Sequence, residues 1–135
     1  MKQIFVILFS MFLFAGVSGN AQTKDTVTNE EKIFNIVEVK PEFPGGQDSL
    51  DNFLRDNLKY PREAIEVGLE GTVFVRFVVE KDGSITNVEV RRSVHRLLDE
   101  EAVRVTKLMP IWKPGTQIGK PVRVSFTLPI NFQLK

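Results

Sequence analysis

The chain of 135 residues has no cysteine, so disulfides, thiolate chemistry and lipid attachment at a cysteine are excluded. Histidine is almost missing as well. With His95 alone, a zinc site or a catalytic triad would have to be built almost wholly from carboxylates and hydroxyls. No charge of one sign is in excess: residues 1–21 carry Lys2 and no acid, and the rest holds 17 basic and 17 acidic residues. Nucleic acid and anionic membrane therefore find no cationic footprint, and no nucleic-acid partner is expected. Long apolar runs are absent too. Residues 4–17 are apolar apart from Ser10 and Gly16, shorter than the roughly 20 residues a membrane-spanning helix needs. They follow Met1 and Lys2 and lead to Gly19, Asn20 and Ala21, small residues ahead of a cut before Gln22. Residues 1–21 are expected to be a signal peptide, or an N-terminal anchor if uncut. Either places the remainder outside the cytoplasm.

What the chain does have is one hairpin with a well-specified register. Val73, Val75, Phe77 and Val79 alternate with Thr72, Phe74, Arg76 and Val78, a period-two pattern in β-branched and aromatic residues. Asp82 and Gly83 supply a tight turn. Counting back from a two-residue turn sets Phe77 against Val88, Val75 against Val90, and Arg76 against Glu89 on the opposite face. A slip of one residue would turn the apolar set outward.

The remaining elements group around this hairpin. Residues 22–45 read as a linker holding a short strand at 33–39, ended by Pro41, Pro44, Gly45 and Gly46. Residues 46–135 read as the folded domain. Leu50, Phe53, Leu54 and Leu58 mark an amphipathic helix with Asp48 or Ser49 as its cap. Pro61 opens a shorter helix that Gly68 closes. Tyr60 is expected to pack with a wet hydroxyl. Leu98, Ala102, Val105 and Met109 form the apolar stripe of a third helix, with Glu100 and Arg104 paired on its wet face. Trp112, the sole tryptophan, is expected between that helix and the sheet. The order gives an α+β two-layer sandwich, an antiparallel sheet of about three strands packed on two to three helices.

The last strand carries the candidate site. Val122, Val124, Phe126, Leu128 and Ile130 alternate with Arg123, Ser125, Thr127, Pro129 and Asn131, and Pro129 marks a sheet edge because it cannot donate to a ladder. Flanking the central strand 72–79, its outer side presents unpaired backbone groups at Val122, Arg123, Val124, Ser125, Phe126, Thr127 and Leu128. That is a template for an extended partner peptide. The alternative is that residues 33–39 or a second copy of the chain, as a strand-swapped homodimer, covers this edge. For catalysis the best constellation is Ser93, His95 and Asp99, which has neither a nucleophile elbow nor an oxyanion loop. No catalytic residue, metal or cofactor is expected.

Taken in order, Tyr60-Pro61, Glu70-Gly71-Thr72-Val73, Lys81-Asp82-Gly83, Leu98-Asp99-Glu100-Glu101-Ala102, Pro110-Ile111-Trp112-Lys113-Pro114-Gly115 and the last strand resemble the TonB C-terminal domain family over about residues 58–134. The segment Pro41-Glu42-Phe43-Pro44-Gly45-Gly46 is similar to a lead-in of Bacteroidetes-type members. The resemblance implies a periplasmic, energy-transducer-like module. Such a module takes the N-terminal, plug-side peptide of a TonB-dependent outer-membrane transporter as an added strand. Longer members relay work from inner-membrane proton-driven motor proteins. Here residues 4–17 lack the histidine of motor-coupled members, and no long proline-rich linker precedes Tyr60. The second reading is thus a periplasmic adaptor or sensor-associated interaction domain without motor coupling. Where the family has a glutamine-containing segment before Tyr-Pro, this chain has Asn57, Leu58 and Lys59, so no peptide contact carries over to them.

Overall fold

The centre of the sheet is the strand whose inward side chains are all apolar. Val73, Val75, Phe77 and Val79 are fully buried, and the strand that holds them has a partner on either side. The computed structural model describes residues 32–135; the expected leader at 1–21 and residues 22–31 of the linker lie outside the described residues. Among the described residues no helix is long and apolar enough to cross a membrane. The elements are β1 (Ile33–Phe34), α1 (Gln47–Asn57), α2 (Arg62–Val67), β2 (Gly71–Val79), β3 (Ile85–Arg92), α3 (Arg96–Lys107), β4 (Thr116–Gln117), β5 (Lys120–Pro121) and β6 (Arg123–Phe132). The main sheet runs β1-β6-β2-β3, and β4 and β5 form a separate two-stranded ribbon. Leu50 of α1, Ala64 of α2, and Leu98, Ala102 and Val105 of α3 share one core with β2, Leu128, Ile130 and Phe132. This is the expected α+β layering, with four strands rather than three. The fourth, β1, is parallel to β6 and only two residues long.

The hairpin shows how the register survives a misread turn. Its loop is three residues, not two. The N–H of Glu80 donates to Ser84 and that of Gly83 to Glu80, each at 2.8 Å, and Gly83 takes φ 87°. This is the geometry of a type I turn closed by a glycine bulge. Val79 therefore pairs with Ile85, one step out of the two-residue register. An irregularity between Arg76 and Val78, where Asn87 adopts φ 52°, restores it. Val75 faces Val90 and Arg76 faces Glu89 as expected, while the pairing of Phe77 with Val88 is lost to the bulge. Asparagine is among the few residues other than glycine that visit the left-handed region readily. Asn87→Ala is expected to lower stability by about 1 kcal/mol, and Asn87→Gly by less. Urea denaturation measures both.

The helix ends correct one expected cap and keep another. Neither Asp48 nor Ser49 caps α1; Gly46 is the N-cap, and its carbonyl accepts from Leu50 at 3.1 Å. Gly68 does close α2, at φ 71° with Leu69 donating back to Ala64 at 2.9 Å. The half-buried Tyr60 packs as expected, its ring meeting Phe132 edge-on, and its hydroxyl donates to the Leu69 carbonyl.

The acidic run of α3 is not all on the wet face. Arg104 pairs with Glu101 at 2.7 Å, not with Glu100, which faces Arg96 at 3.3 Å. Glu101 is 9% exposed and accepts the backbone N–H of Lys59 at 2.6 Å, and Arg104 donates to the Asn57 carbonyl at 2.9 Å. The pair thus satisfies backbone groups left over where α1 ends. Burial pushes the Glu101 carboxyl up, but the Arg104 hydrogen bonds, the Lys59 N–H and the nearby positive charge together bring it below its usual range. A depressed carboxylate contributes stability that is present above its unfolded pKa of about 4.3 and is lost as pH falls through the folded value. Stability should drop as pH falls below about 4.3, and Glu101→Gln should flatten that drop in denaturation midpoints measured across pH.

Candidate functional site

The direction of each backbone group along β6 follows from the hairpin. Because Glu80 donates its N–H to Ser84, its backbone faces β3. Backbone groups of successive strand residues turn to opposite sides. Val79, Phe77, Val75 and Val73 therefore address β6, where their partners are Val124, Phe126, Leu128 and Ile130. The N–H and C=O groups of Arg123, Ser125, Thr127 and Asn131 point to the side away from β2, together with the carbonyl of Pro129. The register of β1 spends the Ser125 N–H on the Phe34 carbonyl. Proline sits where its missing donor costs no ladder bond.

Part of this edge is taken. Strand β1 pairs Ile33 with Arg123 and Phe34 with Val124. The chain then leaves the sheet. Asn35 accepts a hydrogen bond from the Ser125 hydroxyl at 2.9 Å, and the chain returns at Val39, whose N–H and C=O pair with Thr116 at 3.1 and 2.9 Å. Between this excursion and β6 lies a groove of about 770 Å³. Asn35, Ile36, Val37, Lys40 and Pro41 line it on the excursion side, Val124, Ser125, Phe126 and Thr127 on β6, and Arg76 and Arg91 on the sheet. Ile36 is 87% exposed at its rim.

The residues singled out from the sequence fall in three places. Val122 precedes β6 and donates to the Gly115 carbonyl at 3.0 Å. Arg123 and Val124 lie beside β1, and the Arg123 guanidinium grips Glu80 with two hydrogen bonds of 2.7 and 3.1 Å. That grip is the main reason the Glu80 carboxyl is held below its usual range. Ser125, Phe126, Thr127 and Leu128 run along the stretch beyond β1; of their side chains Leu128 is buried in the core and Phe126 packs against Trp112 at 5.1 Å. The structure adds Lys40, Arg76 and Arg91, which the sequence reading did not connect with the edge. They come from three separate segments and carry no common local pattern.

Ser93, His95 and Asp99 do meet, as a helix cap. The imidazole Nδ1 of His95 accepts the Leu97 N–H at 3.1 Å at the start of α3. The Asp99 carboxylate accepts from the Ser93 hydroxyl and from the Val94 N–H, the latter at 3.1 Å. In this geometry the imidazole nitrogen that faces the chain is already spent on the helix.

These features define a small α+β module with a sheet edge open along part of its length and a cationic groove beside it. Residues 56–134 match the family described as Gram-negative bacterial TonB protein C-terminal, and the chain belongs to that family. Among solved structures it is similar to the NMR solution structure of Helicobacter pylori TonB-CTD, residues 179-285 of that protein. Identity is 26%, coverage is 68% of this chain and 87% of that one, and the TM-score is 0.50. A shorter version of the same domain, residues 194-285, is also 26% identical, with 65% and 92% covered and a TM-score of 0.49. No curated protein sequence matches the chain.

Proposed function

We propose that the chain is a periplasmic TonB-type interaction domain that works by binding and not by catalysis. It takes the N-terminal, plug-side peptide of an outer-membrane transporter as an extra strand on β6, and so serves energy-coupled transport across the outer membrane. The observation that carries this reading is the run of outward backbone groups from Thr127 to Asn131, beyond the last β1 ladder bond and along the groove. Such an edge supplies main-chain hydrogen bonds to any extended chain, while alternate side-chain positions supply selectivity. Family membership supports the transport setting.

Proline scanning along β6 tests it. Thr127→Pro removes an outward donor that β1 does not reach, in the way Pro129 already does, and should leave the unfolding midpoint nearly unchanged. It should weaken binding of synthetic transporter N-terminal peptides at least about fivefold, the loss of one hydrogen bond together with the obstruction of the ring. Phe126→Pro, at an inward position, should instead damage the fold. A well-folded Thr127→Pro chain that binds these peptides as tightly as the wild type in calorimetry would remove the edge from the mechanism.

A further inference from the structure

The groove beside β6 is charged on one side of the balance only. Lys40, Arg76 and Arg91 line it, and no aspartate or glutamate does. Among the described residues Lys40 and Arg91 make no ion pair, and Arg76 has only Glu89, at 3.4 Å with both side chains well exposed. Contacts of that kind hold an arginine weakly. The other acids nearby are engaged elsewhere. Glu38, on the excursion, accepts the Ile118 N–H at 2.6 Å, and Glu80 is gripped by Arg123.

Register says where this charge would be read. Arg76 faces Glu89 on β3 and Thr127 on β6, so Glu89, Arg76 and Thr127 form one row across the helix-free face. An added strand continues that row with the residue set opposite Thr127. Its side chain rises on the same face as Arg76, whether the added strand runs parallel or antiparallel. Two strand spacings, about 10 Å, separate the two backbones, a gap that an arginine and an acidic side chain can close from either end. Arg91, at the groove floor, and Lys40, on its far wall, add to the field there.

We infer that the site selects extended peptides with a carboxylate at the position opposite Thr127, read by Arg76 and Arg91 with Lys40 behind them. This rests on the edge-binding reading and adds a chemical preference to it. In the free domain Glu89 holds the place of the peptide carboxylate, and Arg76 exchanges one partner for the other.

The test uses the full chain and a set of ten-residue peptides of alternating valine and threonine, each carrying a single Glu at a different position, with a Gln counterpart for each. Calorimetry at low and high salt reads the affinities. One Glu position should bind about tenfold tighter than its Gln counterpart at low salt, with the gap shrinking as salt rises. The gap should collapse in Arg76→Gln and Arg91→Gln. It should widen in Glu89→Gln, which frees Arg76; a merely structural role for these exposed side chains would not produce that opposite change. If the Glu and Gln peptides bind equally well, and Thr127→Pro weakens both, the acidic preference is wrong while edge binding stands. If none of the peptides binds, edge binding fails and this inference fails with it.

Discussion

Trp112→Ala is expected to cost the domain about 3–5 kcal/mol, close to the whole stability of many domains of this size, about 5–15 kcal/mol. The ring is 2% exposed and lies at the centre of an aromatic group. Phe126, Phe77 and Phe43 approach it at centroid distances of 5.1, 5.4 and 5.7 Å, all with steep interplanar angles. Edge-to-face pairs of this type contribute about 0.5–1.5 kcal/mol each beyond the area they bury. These partners come from β6, β2 and the segment ahead of α1, so losing the indole separates three parts of the chain at once. Its Nε1 has no hydrogen-bond partner among the described residues, so Trp112→Phe removes volume without orphaning a partner, and should cost less than half as much. Urea denaturation followed by circular dichroism gives both values. A loss under about 1 kcal/mol for the alanine variant would contradict the packing described here.

Gly83→Ala should be nearly as damaging, although it adds a single methyl group. Gly83 has φ 87°, which costs an alanine about 1–2 kcal/mol. A Cβ at this position would sit 2.0 Å from the backbone oxygen of Trp112, an atom that cannot swing aside. The contact is close because the Trp112 N–H donates to the Gly83 carbonyl at 2.9 Å, tying the hairpin loop to the segment after α3. Relieving the clash means breaking that tie, a further 1–3 kcal/mol or about that for an overpacked site. Gly119→Ala is the internal control. Its φ is 72° but no atom lies within 4 Å of the added Cβ, so it should lose only the conformational part. Equal losses for the two variants would show that the approach of Trp112 to Gly83 does not matter.

The parts of this fold that could be read from the sequence are those whose signals are local and repeated. The alternation along residues 72–79 fixed the inward face of β2, and the pairing of Arg76 with Glu89 came from counting across the hairpin. That count succeeded through two offsetting shifts, a loop one residue longer than read and a bulge at Asn87, and nothing in a short turn motif announces the second. Burial of Glu101 was legible in principle: it lies three residues after Leu98 and four before Val105, along the apolar stripe. It was missed because three acids in a row suggest a solvated surface. Strand β1 was not legible in its true extent. Residues 33–39 have a strand-like composition throughout, but only Ile33 and Phe34 find β6, and the point where the chain departs is set by Asn35 meeting Ser125. The candidate site mixes both kinds. Pro129 flagged the edge, whereas Lys40, Arg76 and Arg91 converge only through the sheet order.

The short reach of β1 and the position of Pro129 also bear on self-association. A long bare strand edge invites copy after copy to stack, because each added strand offers the next one a fresh edge. Here β1 ends its pairing at Val124, and Pro129 withholds a donor five residues further on. Between these two stops Thr127 alone offers both its N–H and its C=O outward. An incoming strand is held by only a few main-chain bonds over about 17 Å of backbone, enough for a brief grip by a short segment. Two copies of β6 laid edge to edge would each set a proline against the other's ladder. The same few residues that leave the edge open to a partner thus keep it from growing into a fibre.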